Sequence, residues 1–317
     1  MKEIELALVP EGPLAFDGVN YLYSDGEGFY IDSLARKFKQ IIIFAYAYRQ
    51  ESDWYAAAAT YKFKSKNIIV IELPFYENAG IFLKIYQLLL GFMTIWRNRA
   101  RFKYMYIFYP GYPSISSYIV AKLSKKRFFS YSASDWSEAE SDLIFKWKSK
   151  FLIPVKKVVS KVSLYFEKLI VTDSIFTLTA SEDCVERYSK FSNRVHRTVP
   201  RMDFSKLTFS TRFDSCNGNS IKLLFVGGLY ERKGIFVLAR SFKELLKTGS
   251  YTLTIVGAGS DMSALSQILR REIENKLVFI VGHVDYGPNL MDFYRSADLF
   301  VFPSFGEGFP RVLYESM

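Results

Sequence analysis

The sequence has almost no cysteine or histidine and no long unbroken apolar run. Its two cysteines, Cys184 and Cys216, are too few for a disulfide framework and lack metal-ligand spacing. A reducing compartment is the simple reading. His196 and His283 are the only histidines, and neither an Asp-x-Asp pair nor a His/Cys/carboxylate cluster occurs, so no metal site is expected. The opening MKEIELALVPEGP is acidic where an export signal starts basic. The longest apolar stretch, IFLKIYQLLLGFMTIW (81–96), carries Lys84 and falls short of the roughly 20 residues of a membrane span. A cytoplasmic protein that does not cross a bilayer is expected.

Acidic residues are scarce in one region. From Arg97 to Lys168 there are 15 Lys/Arg against 5 Asp/Glu, a surplus of ten that equals the net charge of the whole chain. A basic patch of this size points to an anionic surface, and peripheral attachment to the inner face of the cell membrane is one expectation. No RNA- or DNA-binding motif accompanies it, so nucleic acid is not the expected partner. What the chain does have is apolar bulk. Half of its 317 residues are hydrophobic, with 29 Phe and 22 Tyr. That is globular composition, long enough for two domains.

The C-terminal third alternates cleanly. IKLLFV (221–226), TLTIV (252–256), VFIVG (278–282) and DLFVFPS (298–304) read as buried strands. Helical spacing predicts helices over 233–247, 261–274 and 289–297, and a further helix whose first turn holds Pro310. The N-terminal part predicts strands at 4–9, 41–46, 68–73, 104–108, 127–132 and 175–180. Its helices are predicted near 29–38, 79–96, 114–125, 155–168 and 181–190. The fold class is α/β, with parallel sheets in two Rossmann-like domains. Residues 1–199 form the first domain, the polar stretch 200–220 the linker, and 221–317 the second domain.

Three stretches carry chemistry. In LLFVGGLYERKG (223–234) a strand runs into Gly227-Gly228, and a helix starts near Lys233-Gly234. Helix N–H groups and a lysine then converge beyond the strand's carboxyl end, where phosphate is attracted. A tight turn with an exposed lysine is the plain alternative. VGAG (256–259) lacks the third glycine of a dinucleotide fingerprint, since Met262 stands there, so a nicotinamide cofactor is not expected. In FPSFGEGFPRVLYESM (302–317), Glu307 follows a strand at the sheet's ligand-binding edge and Glu315 sits on the next helix. Two such carboxylates can bracket a ligand with several hydroxyls, and the Gly308 and Phe309 N–H groups favour negative charge. Spacing alone favours two solvated glutamates.

Taken in order, VGGLYERKG, VGAG, VGHV, YRSADLFVFPS and EGFPRVLYE resemble the donor domain of GT-B-fold glycosyltransferases, specifically glycosyltransferase family 4. TDSIFTLTASEDCVERY (172–188) resembles the end of that family's acceptor domain. The resemblance is specific from about residue 170 onward. It implies two Rossmann-like domains facing across a cleft, the first binding acceptor and the second binding a nucleotide-sugar. The implied activity is retaining transfer, of the hexosyltransferase type, in surface-polysaccharide or glycolipid assembly, to a sugar or lipid-linked acceptor. Glu307 then lies against the donor sugar as the catalytic carboxylate, Glu315 holds ribose hydroxyls, and Lys233 meets the diphosphate. Gly227, Gly228, Gly257, and the main chain of Gly308 and Phe309 complete the donor site. No cofactor and no obligatory metal are implied. GEGFYIDSLARKF (26–38) resembles the family's glycine loop before the first helix, making Gly26 and Gly28 candidates for phosphate. A turn capped by Asp25 is the alternative.

Departures from the family pattern are specific. Gly228 stands where an arginine is usual, with Arg232 as a candidate substitute. The acceptor-domain histidine has no counterpart; RFFSYS leads instead to Asp135, a candidate for acceptor contact or an N-cap. The family runs several dozen residues beyond the second glutamate, so the second domain is expected to be cut short. A non-catalytic GT-B-like subunit that supports a partner enzyme is therefore the alternative.

Overall fold

The structure is a computed structural model that describes residues 4–52, 55, 60–76, 81–109, 111–132, 153–198, 216–305 and 310–317. The chain divides into two units, Met1–Met202 and Asp203–Met317. The linker expected at 200–220 falls mainly on 199–215, outside the described residues.

The strands of the first unit are β1 (Glu5–Val9), β2 (Leu14–Phe16), β3 (Tyr21–Tyr23), β4 (Gln40–Ala45), β5 (Ala47–Tyr48), β6 (Tyr61–Lys62), β7 (Ile68–Glu72), β8 (Tyr104–Tyr109), β9 (Arg127–Ser132), β10 (Thr177–Thr179) and β11 (Val195–Arg197). Its helices are α1 (Asp25–Ala35), α2 (Ile81–Arg97), α3 (Tyr112–Leu123), α4 (Ile153–Asp173) and α5 (Glu182–Ser189). Seven strands form one parallel sheet in the order β11-β10-β9-β8-β1-β4-β7. The near-continuous apolar runs of β1, β4 and β8 are buried on both faces, as a covered parallel sheet requires. Helices α2 to α5 pack on one face through Ile95, Val120, Ile170 and Tyr188. α1 covers the other through Ile31 and Ala35. The short strands β5-β2-β3-β6 make a separate sheet that the apolar periodicity did not reveal. Two- and three-residue strands carry too little alternation to register.

The second unit contains β12 (Ile221–Val226), β13 (Tyr251–Val256), β14 (Val278–Gly282) and β15 (Leu299–Phe300), all parallel in the order β14-β13-β12-β15. Helices α6 (Ile235–Leu245), α7 (Met262–Ile268), α8 (Arg270–Glu274), α9 (Pro288–Ser296) and α10 (Arg311–Ser316) follow the strands. This is the expected parallel α/β arrangement, with three local differences. The helix predicted over 261–274 breaks at Leu269, whose fully buried side chain turns inward between α7 and α8. The strand predicted over 298–304 pairs only at Leu299–Phe300. Asp298 instead accepts the Cys216 and Lys222 N–H groups at 3.2 and 2.9 Å, and Pro303 brings no N–H to a ladder. Pro310 caps α10 with φ −78° and ψ 92° instead of standing inside its first turn.

Candidate active site

The candidate site lies at the carboxyl edge of the β14-β13-β12-β15 sheet, where parallel strands deliver their loops. β12 ends in Gly227-Gly228, and the Gly227 N–H donates to Val256 O at 3.0 Å. β13 ends in Gly257, whose N–H donates to Gly282 O at 2.8 Å. A Cβ on Gly257 would overlap the carbonyl oxygen of Gly227, so only glycine lets these two loops touch. Leu229 N–H donates to Ala258 O at 3.0 Å, and Asp261 N–H returns a bond to Leu229 O at 3.1 Å. The Asp261 carboxylate then accepts the Glu231 N–H at 2.8 Å. The loop between β12 and α6 is therefore held from beneath by the loop after β13.

Above this base, Glu231–Lys233 form a single 3-10 turn. Lys233 is half-buried and Arg232 exposed. Gly234 follows with φ 72°, a left-handed conformation that side chains resist. A Cβ there would collide with the carbonyl of Pro303, which sets the loop after β15 directly against the start of α6. The Phe305 N–H donates to Arg232 O at 3.0 Å, and Ser304 Oγ reaches the same oxygen at 3.4 Å. The Lys233 turn is thus tied to the residues that lead into 306–309. The first N–H groups of α6 have no carbonyl within their own helix and carry the positive end of its dipole. With Arg232 and Lys233 adjacent, the arrangement suits a phosphorylated ligand.

Glu315 sits on α10, half-buried, and accepts a hydrogen bond from the Tyr294 hydroxyl of α9 at 2.8 Å. Burial raises its carboxyl above the ordinary range, against the opposing pull of the Tyr294 hydroxyl and the Arg311 charge. Burial, with the Glu315 charge beside it, likewise pushes the Tyr294 phenol far up. Val312 of α10 packs against the cluster built on Leu224, Val226 and Met291, which sets this helix over the β12 end of the sheet.

The structure gathers Gly227, Gly228, Arg232, Lys233 and Gly257 in two interlocked loops. Glu307, Gly308 and Phe309 lie outside the described residues, as does Asp135. Gly26 and Gly28 stand inside the first turn of α1, not in a loop before it, because Ser24 is the N-cap and the Gly28 N–H already donates to Ser24 O at 2.8 Å. A Cβ on Gly28 would strike the Tyr61 ring, so its small size serves packing. His283 is exposed and pairs with Asp285 at 3.1 Å. Gly228 has a steric reason in this chain: a side chain there would meet the ring of Tyr230. Tyr294 and Asp261 were not foreseen. Asp261, directly before a helical stretch, carried a capping signal; Tyr294 carried none.

The first unit holds a buried polar cluster at the same edge of its own sheet. Glu167 accepts from both Arg187 and Tyr188, and Tyr109 lies beside them at the end of β8. Burial and the Glu167 charge hold both phenols well above their ordinary range. A buried carboxylate needs such partners.

Comparison with known proteins bears on the second unit first. Residues 220–317 match the family described as Glycosyl transferases group 1. The chain is 36% identical over 96 residues to an uncharacterized glycosyltransferase, MJ1607, of Methanocaldococcus jannaschii. It is 35% identical over 98 residues to TuaC of Bacillus subtilis, a putative teichuronic acid biosynthesis glycosyltransferase. Each alignment covers 30% of this chain, and 24% and 21% of those relatives, so less than a quarter of each relative's length is matched. At the level of structure, the whole chain superposes on 78% of Anabaena Alr3699/HepE, crystallised with UDP, at a TM-score of 0.62 and 13% identity. That likeness gives the chain the fold of two Rossmann-like units.

Proposed function

We propose that the protein is a glycosyltransferase that moves a sugar from a nucleotide-sugar to an acceptor. Fold alone does not distinguish transfer from other nucleotide-sugar chemistry. The observation that carries the reading is the coincidence of two things in residues 220–317. The family match spans this stretch, and within it the Arg232–Gly234 turn, the start of α6 and residues Pro303 to Phe305 are locked together. HepE, which shares the fold, is known with UDP and with UDP-glucose. The name of one relative, TuaC, with its putative role in teichuronic acid biosynthesis, favours surface-polysaccharide or glycolipid assembly as the setting.

In this reading Lys233, Arg232 and the α6 N–H groups hold the diphosphate, and their positive charge stabilises it as it leaves. Glu315, fixed by Tyr294, accepts ribose hydroxyls. Glu307 lies against the donor sugar. The anomeric C–O bond to phosphate breaks through an oxocarbenium-like state, and the acceptor oxygen bonds the same face. Its proton passes to a donor phosphate oxygen, so configuration is retained. The acceptor binds the first unit, with Asp135 as a candidate contact. No metal is required. A second reading, a non-catalytic subunit, is favoured by Gly228 in place of a cation. Incubating purified protein with nucleotide-sugars separates the two: transfer or slow hydrolysis supports the enzyme. Tight nucleotide binding without any turnover supports the subunit. Retention is read from the anomeric proton coupling of the product.

A further inference from the structure

Helix α2 is apolar on its outward side as well as its inward one. Toward the body of the first unit, Gln87, Gly91 and Ile95 are buried, and Phe92 and Trp96 pack on its core. Gln87 accepts the Tyr76 N–H at 3.2 Å. Gly91 has only Ser116 Oγ within reach of a Cβ, at 3.8 Å, and Ser116 Oγ donates to Leu88 O at 3.0 Å. The outward face holds Leu83, Ile85, Tyr86, Leu89 and Met93, each 39–57% exposed. A helix at a water-facing surface carries polar residues on that outward face. Contiguous exposed apolar area of this kind marks a docking surface.

Charge identifies what it docks on. The 57 residues from Asn78 to Ser134 contain nine Lys/Arg and no Asp or Glu. α2 and α3 flank β8 in consecutive crossovers, so both run antiparallel to the strands and their C-terminal ends lie at one end of the layer. Lys126 Nζ, just past α3, bonds Phe102 O, just past α2, at 2.7 Å. Arg97, Arg101, Lys103 and Lys125 are exposed at that end. A second copy of the chain would bring the same cations face to face. Anionic lipid headgroups offer the opposite charge beside an apolar boundary. Among the described residues no helix is long and apolar enough to cross a membrane, so the fit is to lying on one.

We propose that the outward face of α2 docks on an anionic bilayer. The Leu83–Met93 stripe enters the headgroup boundary, and the cations at the α2 and α3 ends meet lipid phosphates. Co-sedimentation with vesicles tests this, using phosphatidylcholine alone or mixed with phosphatidylglycerol. No nucleotide or sugar enters the assay, so its outcome is separate from that of the transferase reading. The protein should bind the phosphatidylglycerol vesicles at low salt, release at high salt, and leave phosphatidylcholine vesicles unbound. Leu89→Gln with Met93→Gln should reduce partition about tenfold. Arg97→Gln, Arg101→Gln and Lys125→Gln should each reduce it about fivefold. All these positions are exposed, and far-UV dichroism and melting temperature should match the wild type. Absent binding at low salt, equal binding to both vesicles, or variants that bind like wild type would overturn the proposal. So would a soluble dimer, seen by light scattering, that the Leu89/Met93 variant dissociates while vesicles stay unbound.

Discussion

Removing the Tyr294 hydroxyl probes the candidate site at the Glu315 carboxylate. Tyr294→Phe keeps the ring, which packs 5.6 Å from Phe300, and deletes only the donor to Glu315. A hydrogen bond to a charged group contributes about 1.5–3 kcal/mol. That loss does not pass to the whole second unit. Val312 and the Tyr294–Glu315 bond attach α10 to the unit. The helix should therefore detach locally before the unit unfolds. Amide exchange over 311–316 should rise about ten- to a hundredfold, with the global melting transition nearly unchanged. Nucleoside diphosphate affinity should fall by a comparable factor, because ribose loses a positioned acceptor. The pH dependence has a defined sign. Burial places the Glu315 carboxyl above its unfolded value, so the folded state binds the extra proton. Attachment of α10 should tighten as pH falls from the raised value toward that of ordinary glutamate. Donor binding, which uses the carboxylate, should weaken over the same interval. In Tyr294→Phe that weakening should begin at higher pH, since the lost bond favoured ionisation. Unchanged exchange and unchanged affinity in Tyr294→Phe would refute the positioning role.

Lys233→Ala should weaken nucleoside diphosphate binding by about 1.5–3 kcal/mol through loss of a charge-assisted contact, read by calorimetry. Glu315→Gln should weaken the nucleoside diphosphate itself, whereas Glu307→Gln should spare it and lower turnover; equal losses in both would show that the two carboxylates do not divide the work. Gly234→Ala should destabilise the second unit by at least the roughly 1–2 kcal/mol of a left-handed residue, and more because of Pro303, as measured by denaturant titration. A chelator should leave transfer unchanged, and activity restored only by added divalent cation would contradict the metal-free reading.

Much of this fold is legible in sequence because buried parallel strands are written as unbroken apolar runs. Arg127–Ser132 and Ile221–Val226 are strands over the very residues predicted. Elements shaped by tertiary contact were not legible. Leu269 reads as one more helical leucine, and only its fully buried position breaks the helix. Gly28 reads as loop chemistry until Tyr61 is seen above it. In the candidate site, Lys233-Gly234 announced a turn and a cation, but nothing in spacing tells that Gly234 abuts Pro303. Glu315 was visible as a carboxylate on a helix; its partner Tyr294 lies 21 positions away and is brought close only by the packing of α10 on α9.

The central claim is that the loops closing around Lys233 and Gly234 hold a nucleotide-sugar. Calorimetric titration of the purified chain with a panel of nucleoside diphosphates and their sugar conjugates tests it most directly. The account predicts that one nucleotide series binds, that Lys233→Ala weakens it about ten- to a hundredfold, and that the surface variant Lys276→Ala does not. Binding by no member of the panel, or equal loss in both variants, would contradict it.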